Sequence, residues 1–157
     1  MTVNIDITKE LKAVEKLIKS DINKEKTILG LYNYIFKSDG KKIRSRLNLI
    51  ASSSSKNSDR YKLASIIELL HTATLVHDDV VDNASTRRGA MSVNSLWSNA
   101  HGVLIGDYIY SKAFMLMVEI GKKDILAELA DATNDISQGE LIQLDAISNI
   151  KISLNKL

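Results

Sequence analysis

Cysteine and proline are both absent from the 157 residues, and each absence excludes something. Without cysteine the chain can hold neither a disulfide framework nor a thiolate metal site. Proline breaks helices, so its absence, together with only seven glycines, favours a chain with few sharp interruptions. We therefore predict an all-α fold.

Strong net charge and long apolar runs are missing as well. A formal net charge of +2 is too small to indicate a nucleic-acid partner or an anionic membrane surface. No signal peptide and no apolar stretch of about 18 residues occurs, so the sequence predicts no membrane span and a cytoplasmic location. The apolar content of 45% is typical of one globular domain that buries a core.

Apolar residues recur at helical spacing along most of the chain. The pattern predicts helices over about residues 5–20, 24–36, 41–52, 65–82, 93–98, 102–120 and 125–144. Polar loops are predicted over residues 52–59 and 83–92, a helix stop at residues 38–40 and a polar tail over residues 149–157. No strand-like alternation of useful length and no internal repeat is present.

The apolar run of the predicted central helix ends in three carboxylates. The i, i+4 spacing of Asp78 and Asp82 puts them on one helical face, with Asp79 beside them. Three acids this close repel one another and need counter-charge. A divalent metal would supply it, and carboxylate oxygens favour Mg²⁺. Arg87 and Arg88, just past a short polar loop, would supply it as well.

Acids that hold Mg²⁺ beside paired arginines form a good diphosphate site. Mg²⁺ is usually bound by one or two carboxylates together with substrate phosphates, and arginine donates two parallel hydrogen bonds to phosphate oxygens. A second cationic cluster, Lys41, Lys42 and Arg44, follows directly on Gly40. The residues by themselves also allow a simpler interpretation, in which these charges only face solvent at helix ends.

The segments HTATLVHDDVVD (71–82) and RRG (87–89) resemble the first aspartate-rich region of the trans-isoprenyl diphosphate synthases. The resemblance is strongest to the polyprenyl (octaprenyl-type) synthases. Further matches are GKKIR (40–44), GDY (106–108) and QGELIQL (138–144), in the family's order and at its spacing. The resemblance implies the N-terminal portion of an isoprenoid-synthase helical bundle.

Two diphosphate sites follow from this resemblance. The residues it assigns to isopentenyl diphosphate are Lys41, Arg44, His71 and Arg88. The second site takes an allylic diphosphate of farnesyl type, with Asp78 and Asp82 holding Mg²⁺. There Arg87 contacts the diphosphate and Asp79 supports the other acids.

The implied reaction makes a long-chain polyprenyl diphosphate by ionisation, condensation and elimination. In the resembling family, bulky aromatics at the fourth and fifth positions before the first aspartate stop the chain early. Those positions are Thr74 and Ala73 here, both small, so we expect a long product and a pocket floor near Leu70 and Ile67. Close packing between helices would also explain the small residues.

Two positions depart from the family pattern. Asp39 stands where a second glycine is usual, and Ser45 stands where proline is usual. Both changes leave the cations in place, although Asp39 adds an acid near the diphosphate pocket.

A rival interpretation comes from His77-Asp78, which is similar to the metal motif of the all-helical HD-type phosphohydrolases. That scheme needs a separate histidine well upstream and a distant aspartate. His71 lies only six residues before His77, about 120° around a helix, so the two do not converge well on one metal.

The resembling enzymes are about twice as long, and no second Asp-Asp-x-x-Asp follows Asp82 here. We therefore expect residues 1–157 to form a single but incomplete helical domain. Three interpretations stay open: part of a longer synthase, a half-length subunit, or a non-catalytic protein that binds allylic diphosphate. The family is usually dimeric, so the expected partner is a second copy or a chain that supplies the second aspartate motif.

Overall fold

The computed structural model describes residues 6–37, 40–55 and 57–148, and nearly all of its elements are helices. In chain order the helices are α1 (Ile7–Ile18), α2 (Lys26–Ile35), α3 (Ile43–Ala51), α4 (Asp59–Val81), α5 (Val93–Leu96), α6 (Asn99–Ile120) and α7 (Lys123–Ser148). Two short antiparallel strands, β1 (Thr86–Arg87) and β2 (Ala90–Met91), form a hairpin between α4 and α5. The all-α prediction is confirmed.

The helices follow the predicted order, although several of their ends and one loop differ from the prediction. The central helix begins at Asp59 and has 23 residues, so it starts earlier than its apolar run. The loop predicted over residues 83–92 contains the hairpin, whose two-residue strands are too short to show an alternating pattern. Ser38 and Asp39 of the predicted helix stop, and the tail 149–157, lie outside the described residues.

The chain divides into two compact units, Met1–Ile120 and Gly121–Leu157. The first unit contains α1 to α6 and the hairpin, and the second contains α7. The expectation of one domain over residues 1–157 stays a prediction. Among the described residues, no helix combines the length and the apolar character needed to cross a bilayer.

The core of the first unit is built around α4, which packs against α1, α3 and α6. Its members are apolar side chains that lose nearly all contact with water, among them Val14, Leu49, Ile66, Leu69 and Ile109. Burial of each large apolar side chain contributes about 1.5–3 kcal/mol. The helix that carries the predicted carboxylates is therefore the most firmly packed element of this unit.

Two glycines let α6 approach the last turns of α4. A Cβ at Gly102 would lie 2.6 Å from Cγ2 of Val80, and one at Gly106 would lie 2.2 Å from Nε2 of His77. The same His77 Nε2 donates to Val103 O at 3.2 Å and lies 3.3 Å from Oδ1 of Asp107. Close packing and these polar contacts together fix the end of α4.

Candidate functional site

A cavity of about 830 Å³ lies within the first unit, between α4, the start of α3 and the hairpin. Its wall includes the four residues predicted for one diphosphate site, namely Lys41, Arg44, His71 and Arg88. Asp79 and Arg87 line it too, whereas Asp78 and Asp82 are not among its described lining residues. The structure thus gathers the predicted cations around one space.

The turn before α3 separates the cations of the GKKIR segment. Lys42 adopts a left-handed conformation, with φ 47° and ψ 42°, directly before the first residue of α3. Its side chain forms an ion pair with Glu15 on α1. Lys41 and Arg44 are exposed on either side of this turn, so they remain accessible to an anion.

Arg44 and His71 are in direct contact, because Nη1 of Arg44 lies 3.2 Å from Nε2 of His71. A guanidinium has only donors, so Nε2 accepts, and the imidazole is neutral with its proton on Nδ1. Burial first, and then the charge of Arg44, lower the pKa of His71. Glu68 acts in the opposite direction.

Glu68 is a cavity residue that sequence reasoning missed. Its Oε1 accepts from the backbone N–H of Ser45 at 3.2 Å and from Ser45 Oγ at 2.9 Å. A proline at position 45 would lack both donors. The signal available was its position three residues before His71, on the same helical face.

The three aspartates differ in burial. Asp79 is 3% exposed, and its Oδ1 accepts from Arg87 Nε at 2.8 Å. Asp82 is exposed at the end of α4, and Asp78 is partly exposed one turn before it. The arginine therefore supplies the counter-charge for Asp79, and the resemblance makes Asp78 and Asp82 the candidate metal ligands.

These two carboxylates fit a Mg²⁺ ion that is shared with a substrate. In the part of the chain that the structure describes, no three Asp, Glu or His side chains form a group that could hold a metal. Mg²⁺ does not need such a cage, since one or two carboxylates, water and phosphate oxygens complete its shell. The donor chemistry of Asp78 and Asp82 is thus compatible with the predicted metal.

The hairpin that carries both arginines is anchored at several points. Arg88 and Gly89 form its turn with φ values of 52° and 80°, the positive φ at both positions that a type I′ turn requires. Tyr34 OH donates to Met91 O on the hairpin at 2.7 Å. Just after the hairpin, Asn94 Nδ2 of α5 donates to Asp79 O of α4 at 3.0 Å. Sequence reasoning assigned no role to Tyr34 or Asn94, and neither follows a pattern that would have indicated one.

The residues predicted to set product length lie elsewhere on α4. Ala73 and Leu70 are buried, and Thr74 donates its hydroxyl to His71 O at 2.9 Å. None of these, nor Ile67, is among the described residues that line the cavity. Their role stays a prediction.

The two histidines of the HD-type interpretation have different neighbours. His71 lines the cavity beside Arg44, whereas His77 packs over Gly106 and donates to Val103 O. This arrangement gives them no common metal position.

The sequence profile described as Polyprenyl synthetase matches residues 6–157. The chain belongs to the polyprenyl synthetase family. This result confirms the resemblance inferred from the aspartate-rich segment and the basic motifs around it.

Two curated members of the polyprenyl synthetase family are similar to the chain along nearly its whole length. The octaprenyl diphosphate synthase of Haemophilus influenzae is 36% identical over 147 residues, which are 92% of this chain and 45% of that protein. The octaprenyl diphosphate synthase of Escherichia coli is 33% identical over 154 residues, 96% of this chain and 48% of that protein. The chain spans about half the length of these relatives.

Solved structures show the same likeness. A polyprenyl synthase from Caulobacter crescentus, complexed with calcium and isoprenyl diphosphate, superposes with a TM-score of 0.89 at 33% identity. That match covers 95% of this chain and 46% of the other. A decaprenyl diphosphate synthase from Rhodobacter capsulatus gives a TM-score of 0.88 at 33% identity, covering 96% of this chain and 47% of the other. The predicted isoprenoid-synthase fold is confirmed.

Proposed function

We propose that the chain forms the N-terminal part of a trans-prenyltransferase acting in the cytoplasm. The reaction condenses isopentenyl diphosphate with an allylic diphosphate of farnesyl type and yields a long-chain polyprenyl diphosphate. The observation that carries this proposal is the cavity. Arg44, His71 and Arg88 line it together with residues near the end of α4, the helix that carries the carboxylates. Membership of the polyprenyl synthetase family supports it.

In this proposal the cavity takes the diphosphate of the isopentenyl substrate. Lys41, Arg44 and Arg88 provide positive charge, and the guanidinium groups can each donate two hydrogen bonds to phosphate oxygens. His71 is neutral, so it adds an Nδ1–H donor without adding charge. Apolar residues of the same wall, such as Leu75 and Val76, suit the short hydrocarbon tail.

The allylic diphosphate occupies the carboxylate end of α4. Asp78 and Asp82 would hold Mg²⁺, which when bound neutralises charge on the departing diphosphate. Arg87 is 34% exposed although it pairs with Asp79, so its other donors are available to the same diphosphate. The allylic carbocation is attacked by the isopentenyl double bond, and a proton is then lost from the new C–C-bonded product.

The length of the product depends on the wall that the growing chain meets. Thr74 and Ala73 are small and would let the prenyl chain pass, with Leu70 and Ile67 further along α4 as its floor. A long product is therefore proposed.

The second candidate is a split or non-catalytic subunit that binds allylic diphosphate. The chain spans about half the length of its relatives, and its sequence has no second Asp-Asp-x-x-Asp after Asp82. A split subunit would turn over its allylic diphosphate only with a chain that supplies that motif, whereas a non-catalytic subunit would bind the diphosphate without turnover.

Binding and turnover separate these candidates. The purified chain is tested with Mg²⁺, isopentenyl diphosphate and farnesyl diphosphate, and the products are resolved by length. We expect binding of farnesyl diphosphate to depend on Mg²⁺. Asp78→Ala should weaken this binding by about tenfold or more, because it removes one charged contact. Asp59→Ala, at the other end of the same helix, is the matched control and keeps the wild-type affinity. Unchanged affinity in Asp78→Ala would refute the assignment of the metal site.

A further inference from the structure

The bare Cα of Gly40 lies directly against the guanidinium of Arg88. A Cβ at Gly40 would lie 2.7 Å from Nη1, 3.4 Å from Cζ and 3.5 Å from Nη2 of that side chain. All three of these atoms belong to the charged group. The guanidinium thus occupies the space that any side chain at position 40 would need.

Gly40 is required here for space and not for backbone conformation. The described glycines with positive φ are Gly89 and Gly121, and Gly40 is not one of them. An alanine could therefore adopt the same backbone without strain. Only the tip of a flexible side chain obstructs it, so the chain can fold with alanine at this position by moving the guanidinium.

The other end of Arg88 is held by the hairpin. Its φ of 52° is a conformation in which asparagine or glycine is preferred at a two-residue turn, so arginine carries a backbone cost there. The hairpin itself is anchored by the Arg87–Asp79 ion pair and by the Tyr34 hydrogen bond to Met91. The backbone of Arg88 is therefore fixed. The position of its guanidinium then depends on the residues that this group contacts.

We propose that Gly40 is a positioning residue whose missing side chain seats the Arg88 guanidinium in the cavity. In this position the Arg88 guanidinium lines the same cavity as Arg44 and His71, so a diphosphate bound there would contact all three groups. Gly40 acts through Arg88 and needs no contact of its own with the substrate. This inference rests on the proposed diphosphate site.

The first test measures binding of inorganic diphosphate in the absence of divalent metal, by calorimetry. We expect Gly40→Ala to bind about tenfold more weakly, because misplacing one charged donor by about 1 Å removes much of its contact. Gly30→Ala on α2 is the matched control, since no described atom lies within 4 Å of a Cβ there. The melting temperature of Gly40→Ala should stay close to that of the wild type.

A double variant separates a positioning role from a general loss of structure. If Gly40 acts through Arg88, Gly40→Ala weakens binding no further once Arg88→Ala is present. The inference is overturned if Gly40→Ala binds diphosphate as tightly as the wild type. It is also overturned if the double variant binds more weakly than Arg88→Ala by the whole factor that Gly40→Ala causes alone.

A second readout needs no ligand, and it keeps this inference distinct from the proposed function. The charge of Arg88 contributes to the lowered pKa of His71, after burial and Arg44. In NMR titrations, Gly40→Ala should raise the pKa of His71 towards its value in Arg88→Ala, because the displaced guanidinium moves out to solvent. If the wild type fails to bind diphosphate, the proposed function fails, and the titration alone tests the role of Gly40. An unchanged pKa of His71 in Gly40→Ala would then refute that role.

Discussion

The buried carboxylate of Asp79 shows how a single residue divides the acidic motif. Its neighbours in sequence lie at the accessible end of α4, while Asp79 is held inside by Arg87. A buried charge that loses its partner is costly, because neither water nor another donor replaces the contact.

Arg87→Ala should therefore lower the free energy of unfolding by about 1–3 kcal/mol, measured by urea denaturation. Asp79→Asn in the same background should recover part of that loss, since the remaining group is neutral. Arg88→Ala, one residue further along the same hairpin, is the control and should change stability by less than about 0.5 kcal/mol. Equal effects of the two arginine variants would contradict the pairing.

His71 makes stability depend on pH in a defined direction. Burial and Arg44 lower the pKa of His71 in the folded protein below the ordinary 6.5. Between the folded pKa and the unfolded pKa, the unfolded chain therefore binds a proton that the folded chain does not. The free energy of unfolding should consequently rise with pH across that window and be reduced below it. Urea unfolding at several pH values should show this slope, and His71→Gln should flatten it.

His101→Gln serves as the control for that experiment, because it removes a histidine that has different neighbours from His71. His101 lies at the start of α6, where its Nδ1 contacts Ser98 Oγ. The assignment to His71 is wrong if its variant keeps the full wild-type slope.

Among the elements, α4 and α6 are joined most tightly, and glycine makes this possible. His77 occupies the space over Gly106, and its Nε2 also donates to Val103 O. Any side chain at position 106 must push the imidazole out of this place or separate the two helices.

Gly106→Ala should for this reason lower the free energy of unfolding by about 1–3 kcal/mol, the usual cost of overpacking. Gly30→Ala should instead raise it slightly, because alanine favours helices and Gly30 has open space around it. Thermal unfolding of both variants measures the difference. A neutral Gly106→Ala would show that the helices are less closely packed than described.

For the whole molecule, the question is what completes the site. Within the part of the chain that the structure describes, Asp78 and Asp82 are the one pair of candidate metal ligands, and the chain spans about half the length of its relatives. If a second aspartate motif is required, turnover by the chain alone should be very low. Adding a chain that carries that motif should raise turnover by about a hundredfold or more, the usual size of electrostatic stabilisation of developing charge. Full turnover without any addition would mean that the described site suffices.

The sequence predicted the helices well, because their apolar faces recur at helical spacing. The grouping of Arg44 with His71, 27 residues apart, could be predicted only from resemblance, since spacing does not bring distant segments together. The hairpin was missed because its strands are two residues long. Glu68 and Gly40 were missed for a different reason: their roles depend on which side chain lies next to them in space.

The packing of α4 has a consequence for amide hydrogen exchange. Covered by α1, α3 and α6, its central amides should exchange only when the whole unit opens, whereas the short hairpin should exchange through local openings. The middle of the helix that carries the carboxylates should therefore exchange most slowly within this unit, and the hairpin with the paired arginines faster. An anion that binds the arginines should protect the hairpin amides while leaving the exchange of α4 almost unchanged.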